Sequence, residues 1–206
     1  HHRGRYGLAH GQASATKGYT SLIVGRAIQL GYLSMADLHK PVISFLKELD
    51  TSKLVAGADK ITLHKALTMR GGLTIDRDEW QEIEKSPEQL EGQKLVQRLL
   101  QESAAITEET QAYKYGNFNP ILVMSVIDAI VPGGAKAFIK SEILDPLNIS
   151  NYKWDTHLSG LPQAGYRVSL TSRDMLKLGN IVINQGKWQG KQFVSPTYLT
   201  KATSNI

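Results

Sequence analysis

The chain has no cysteine, no run of eighteen apolar residues and no dense block of like charge beyond its first five positions. Zero cysteines exclude a disulfide framework, thiol catalysis and a cysteine-based zinc site. Without a long apolar stretch, no membrane-spanning helix is expected. The net charge of +5 is scattered, and outside His1, His2, Arg3 and Arg5 the basic residues neither cluster nor alternate with aromatics. A nucleic-acid partner is therefore not expected. The six histidines contain no His-Glu-x-x-His pair. His64 and His157 read as surface or packing residues, and neither a metal nor a cofactor is expected. Gly71-Gly72 lacks the surrounding Gly-x-x-x-x-Gly-Lys-Ser/Thr of a phosphate cradle and reads as a helix terminator.

What is present describes an ordinary folded domain. With 206 residues, 41% hydrophobic and 21% charged, the chain is long enough for one sizeable core. Helices are expected at 14–30, 62–69, 87–102, 120–131, 135–144 and 172–185. Residues 121–131, ILVMSVIDAIV, are apolar almost all round and should form the buried central helix. Asn119 before Pro120 reads as that helix's cap. In the run 172–185, Met175, Leu176, Leu178 and Val182 read as core. Residues 186–190, GKWQG, read as a turn leading into a short strand.

The chemistry is concentrated in Ser14-Ala15-Thr16-Lys17 at the start of the first helix and Tyr115-Gly116-Asn117 a hundred residues later. Residues three apart on a helix share a face, so the lysine amine can reach the serine hydroxyl. A serine is a poor nucleophile until a base takes its proton, and a helix N-terminus favours the negative charge that develops. Ser-x-x-Lys also occurs at Ser44–Lys47 and Ser150–Lys153. Ser44 lies in an apolar run and reads as a packed turn, while Ser150 lies in turn-like sequence with no helix to present its lysine. Context singles out Ser14, followed by Tyr19, Leu22, Ile23, Ala27 and Leu30 at helical spacing and by Gly31 as a stop. Tyr115 and Asn117 could instead be a loop tyrosine and a cap; the serine motif upstream favours the functional reading.

Several blocks in order resemble the serine β-lactamase and penicillin-binding superfamily. SATKGYTSLIVGRAIQLGYL is similar to its nucleophile helix, ITLHKALTMRGGL to the segment often reading LLTMTSGL, and YKYGNFNPILVMSVID to its second motif. SLTSRDMLKLGNIVINQGKWQGKQFVSP resembles the stretch before the last strands. Tyr-x-Asn in place of Ser-Asp-Asn, and no Glu-x-x-x-Asn, point to the branch of class C β-lactamases, D-Ala-D-Ala carboxypeptidases and related esterases. Glycine at the middle position, where relatives carry Ser or Ala, preserves the backbone shape. The resemblance implies an α+β fold of the β-lactamase/transpeptidase type. It also implies a catalytic Ser14 with Lys17 and Tyr115 sharing its proton, and Asn117 binding the substrate's amide.

The resemblance further implies a third motif, Lys- or His-x-Gly. His2-Arg3-Gly4, Lys114-Tyr115-Gly116 and Lys177-Leu178-Gly179 fit the pattern, but in the wrong order or within other elements. The expectation is one incomplete domain over 1–206, with nucleophile helix 14–30, a helical region about 34–165 and a C-terminal helix 172–185. Most sheet-forming ends would be missing, this piece would be nearly inactive, and the uncovered sheet-packing face would favour self-association. The implied substrate is a small-molecule or peptide-like acyl compound, and resemblance alone suggests a periplasmic or secreted setting. The other class of answer is a non-catalytic scaffold binding a cell-wall-like ligand or partner.

Overall fold

The computed structural model describes residues 7–204. The His2-Arg3-Gly4 tripeptide and the basic run from His1 to Arg5 lie outside the described residues. The α-helices in chain order are α1 (Ala15–Gln29), α2 (Leu63–Leu67), α3 (Arg77–Glu84), α4 (Lys94–Glu102), α5 (Phe118–Ile130), α6 (Gly134–Phe138), α7 (Ser172–Ile183) and α8 (Pro196–Ala202). The strands are β1 (His10–Gly11), β2 (Tyr152–Trp154), β3 (Val168–Leu170), β4 (Lys187–Trp188) and β5 (Lys191–Gln192).

Helix α5 lies at the centre because its sequence offers no polar face to water. Every residue from Asn119 to Ile127 is buried, and α1, α2, α4 and α6 pack around it. Fully burying a side chain such as Leu122, Met124 or Ile127 contributes roughly 1.5–3 kcal/mol each. Helix α1 buries Tyr19, Leu22, Ile23, Val24 and Ala27 against this core. It ends where Gly31, at φ +81°, takes the left-handed turn that a side chain would resist. A Cβ on Gly25 would come within 2.5 Å of Val194 Cγ1 and 2.7 Å of the Tyr198 ring, so glycine is what lets α8 close on α1. There Ser21 Oγ and the Tyr198 hydroxyl share a 2.8 Å bond, and burial pushes the Tyr198 phenol up to about 12.

A small antiparallel sheet runs in the order β1-β3-β2. Gly11 pairs with Ser169, and Trp154 pairs with Val168. Val168 and Leu170 are buried and Ser169 is not, the period-two alternation of a strand with one face on a core. This sheet fixes the approach to the first helix: Gln12 N–H donates to Val168 O at 2.7 Å, and Ser14 follows two residues later.

Several expected elements are revised. The 87–102 helix is broken: Pro87–Gln89 form one 3₁₀ turn, Gly92 turns left-handed at φ +61°, and α4 begins only at Lys94. Gly92 N–H donates to Ser159 O there, a long-range bond that replaces a helical one. Helix α3 was not anticipated. Its charged sequence hides a start capped by Asp76, which accepts from Asp78 N–H, and an anchor of Ile83 and Trp80, the latter edge-on to Phe118.

Helix α5 begins two residues earlier than the Asn-Pro pair suggests, so Asn119 is not its cap. Pro120 fits inside the first turn because N–H groups there have no helical partner. Residues 139–144 widen into a π-helix instead of continuing α6. Leu178 is core as expected, but Met175, Leu176 and Val182 are exposed, with Ile183 78% exposed. With α1 and α8, Met175 and Val182 border an apolar groove that also takes in Tyr19, Leu22 and Leu199. Among the described residues, no single helix is long and apolar enough to cross a membrane.

Candidate active site

Ser14 occupies the residue before α1, with its side chain exposed and making no capping bond. The turn that delivers it is strained: Ala13 has φ +45°, a region costly for a residue bearing a Cβ. The turn is held by Thr16 Oγ1–H donating to Ala13 O at 2.8 Å and by Ala15 N–H donating to Gln12 O at 3.0 Å. Gln12 is itself fixed, accepting from the Tyr19 hydroxyl at 2.8 Å. The Ser14 N–H, at the N-terminal end of α1, makes no hydrogen bond among the described residues.

One turn on, Lys17 Nζ collects the other motif residues. It donates to Gly165 O at 2.9 Å, to Asn117 Oδ1 at 3.0 Å and, at a longer 3.4 Å, to Ser14 Oγ. Written as an ammonium it has three N–H groups, and these three acceptors take them all. Its charge also sits 4.8 Å from the centre of the Tyr115 ring. The structure therefore brings Ser14, Lys17, Tyr115 and Asn117 to one place.

The Tyr115 hydroxyl has no closed hydrogen bond among the described residues, yet it approaches the site closely enough to be perturbed. The Ser14 hydroxyl first, and then Lys17, hold its phenol below the usual tyrosine range. Tyr115 is 56% exposed, which softens the effect of the neighbouring charge. Ser44 and Ser150, by contrast, stand apart from any such cluster. Ser44 Oγ–H donates to Pro41 O at 2.6 Å, and Lys153 pairs with Asp155 at 3.0 Å.

Sequence reasoning missed the segment 163–165, which contributes backbone and no side-chain motif. Its successive carbonyls accept from Trp154 Nε1–H, Thr20 Oγ1–H and Lys17 Nζ, at 2.8, 2.8 and 2.9 Å. Gly165 must stay small: a Cβ there would meet Asn117 Oδ1 at 2.9 Å and Lys17 Nζ at 3.4 Å. Asn119 also has a role other than capping, its Oδ1 accepting from Gly71 N–H at 3.0 Å to tie the 69–73 segment to α5. Between that segment and Tyr115–Asn117 lies a cleft of about 260 Å³, walled by Met69, Ile75 and Phe118 with Lys114 at its edge.

Gly165→Ala tests the packing at Lys17. The added methyl pushes Asn117 or Lys17 from its place, and displacements of this kind in a positioned site lower rates by about 10-fold or more. The expected result is a fall of that size in the rate of covalent labelling, with a melting temperature little changed. Labelling at the unaltered rate would mean that Gly165 does not constrain the site.

No curated protein matches the chain by sequence. Among solved structures, the chain is similar to a Bacillus anthracis protein assigned as a 6-aminohexanoate-dimer hydrolase. That likeness has a TM-score of 0.73 and 19% identity over 96% of this chain and 53% of that one. An octameric penicillin-binding protein homologue from Pyrococcus abyssi matches with TM-score 0.65, at 19% identity over 94% of this chain and 48% of that one. A D-stereospecific amidohydrolase from Streptomyces sp. gives 0.71, at 16% identity over 97% and 66%. At these identities the likeness is one of fold, and the chain spans about half to two thirds of the length of these structures. The fold is therefore the α+β fold of β-lactamases and penicillin-binding proteins. The family model described as Beta-lactamase matches residues 9–203, nearly the whole chain, and the protein belongs to that family of serine hydrolases and penicillin-binding relatives.

Proposed function

We propose that this chain carries the nucleophilic centre of a serine hydrolase acting on ester, β-lactam or amide bonds through an acyl-enzyme. The observation that carries the reading is Lys17 Nζ bridging Ser14 Oγ and Asn117 Oδ1, a hundred residues apart, with Tyr115 alongside. With its three N–H groups engaged, Lys17 serves as the fixed positive charge and Tyr115 as the proton acceptor. The Ser14 oxygen attacks the carbonyl while its proton passes to Tyr115. The developing oxyanion meets the free Ser14 N–H, and collapse breaks the bond to the leaving group, which takes the proton. Water then repeats the sequence on the acyl-enzyme.

Asn117 gives its Oδ1 to Lys17, so its amide N–H groups are turned toward a substrate carbonyl. The neighbouring cleft of about 260 Å³ suits a small acyl or leaving group rather than an extended chain. A fluorophosphonate or a labelled penicillin tests the proposal, read by intact mass: one covalent adduct per chain, on Ser14, is expected. Reversible penicillin retention with no adduct would overturn it in favour of a non-catalytic binding scaffold.

We propose in addition that the chain self-associates through the apolar groove bordered by α1, α7 and α8. Met175 and Val182, seven residues apart on one face of α7, are 41% and 37% exposed there, and exposed apolar patches of this kind favour association. Sedimentation velocity should find a species larger than a monomer, returned to monomer by Met175→Asp with Val182→Asp. A monomer at high concentration before any substitution would sink the idea.

A further inference from the structure

Away from Ser14, the π-helical stretch Ile139–Leu144, the end of α6 and the edge strand β2 enclose a groove of about 460 Å³. It shares no residue with the Ser14 cluster, and its volume lies within the range of small-molecule sites. Two aromatic side chains, Tyr152 and Trp154, line it from one face of β2, since residues two apart on a strand point the same way. The indole is held fast: its Nε1–H donates to Gln163 O at 2.8 Å, so its polar atom is satisfied and its ring remains for contact. Leu144 and Ala137 continue the apolar wall.

The opposite wall carries Lys136 and Lys140, and among the described residues no carboxylate lines the groove. Lys140 is neutralised by Asp145, with both carboxylate oxygens within 2.9 Å. Lys136 has no acidic partner among the described residues. A cation without a counter-charge beside a fixed aromatic surface disfavours cationic ligands and complements an acid on a flat body. The π-turn is a second pointer, because such widened turns recur at functional sites.

We propose that this groove binds a small aromatic anion, a ring system bearing one carboxylate or sulfonate. The ring lies against Trp154 and Tyr152, and the acid group meets Lys136. The site is independent of the hydrolytic reading, and its test needs no turnover.

The probe is 8-anilinonaphthalene-1-sulfonate, titrated against the intact chain by fluorescence beside N-phenyl-1-naphthylamine, the same body without the sulfonate. Saturable binding of the sulfonate is expected. Lys136→Glu, at an exposed position, should weaken it about fivefold or more while leaving the uncharged compound within about twofold. Trp154→Ala should weaken both, and Leu176→Asp on the separate α7 face should weaken neither. Absence of saturable binding would overturn the proposal. So would sulfonate binding that survives Lys136→Glu and Trp154→Ala but is lost in Leu176→Asp, or equal weakening of the two compounds by Lys136→Glu.

Discussion

Ser14→Ala should abolish covalent labelling and lower turnover by about 10⁴-fold or more, the scale seen when a catalytic nucleophile is deleted. The substitution removes one oxygen at an exposed position that makes no capping bond, so the fold should be unaffected. Stability is the control: an unchanged melting temperature beside lost labelling separates chemistry from unfolding. Ser44→Ala and Ser150→Ala supply the contrast. Ser44 bonds to its own turn and Ser150 is exposed outside any helix, and among the described residues neither is hydrogen-bonded to a lysine or a tyrosine. Both variants should label as the parent does. The measurement is intact mass after a fluorophosphonate, with turnover of an activated ester followed in a form of the protein that has it. Labelling that survives Ser14→Ala and disappears in Ser44→Ala would refute the nucleophile assignment.

The four side chains of this cluster were legible in the sequence because each belongs to a short pattern with a local physical reason. Ser14 and Lys17 are three apart on a helix start, and Tyr115 and Asn117 flank one residue before another helix. What joins the two pairs was not legible. Lys17 is held by the Gly165 carbonyl, and a backbone acceptor leaves no trace in residue type except that glycine alone fits beside Asn117.

The same reasoning explains the misread elements. Asn119-Pro120 has the local form of a cap, but tertiary packing assigns Asn119 to Gly71 and starts α5 earlier. The 87–102 pattern breaks at Gly92, which bonds to Ser159, a partner 67 residues away that no local pattern announces. Met175, Leu176 and Val182 have the spacing of core residues. They are nonetheless exposed among the described residues, because helical spacing marks an apolar face without showing whether another element covers it.

Lys17→Ala should lower the acylation rate by about 10²–10⁴-fold, the range for losing positioned proton transfer, and change substrate binding far less. The pH profile carries the diagnosis. The Tyr115 phenol is held below its ordinary range by Ser14 and then by Lys17. A lowered value means more phenolate, the basic form, at a given pH, so the rate should rise with pH through the lowered value and level off above it. Removing the ammonium takes away its neighbouring charge while the Ser14 hydroxyl remains, so the phenol moves part of the way back toward its reference value of about 10. The rising limb must therefore move to higher pH, and part of the lost rate should return in alkali. Tyr115→Phe has no phenol to titrate, so its rate should be low throughout with that limb gone. Lys17→Arg keeps a charge but offers a planar fork to acceptors placed for a compact ammonium, and should fall between the two. The limb belongs to the coupled group and not to one residue, so its displacement between variants is the quantity to compare. A limb unmoved in Lys17→Ala, or one that persists in Tyr115→Phe, would mean that another group accepts the Ser14 proton.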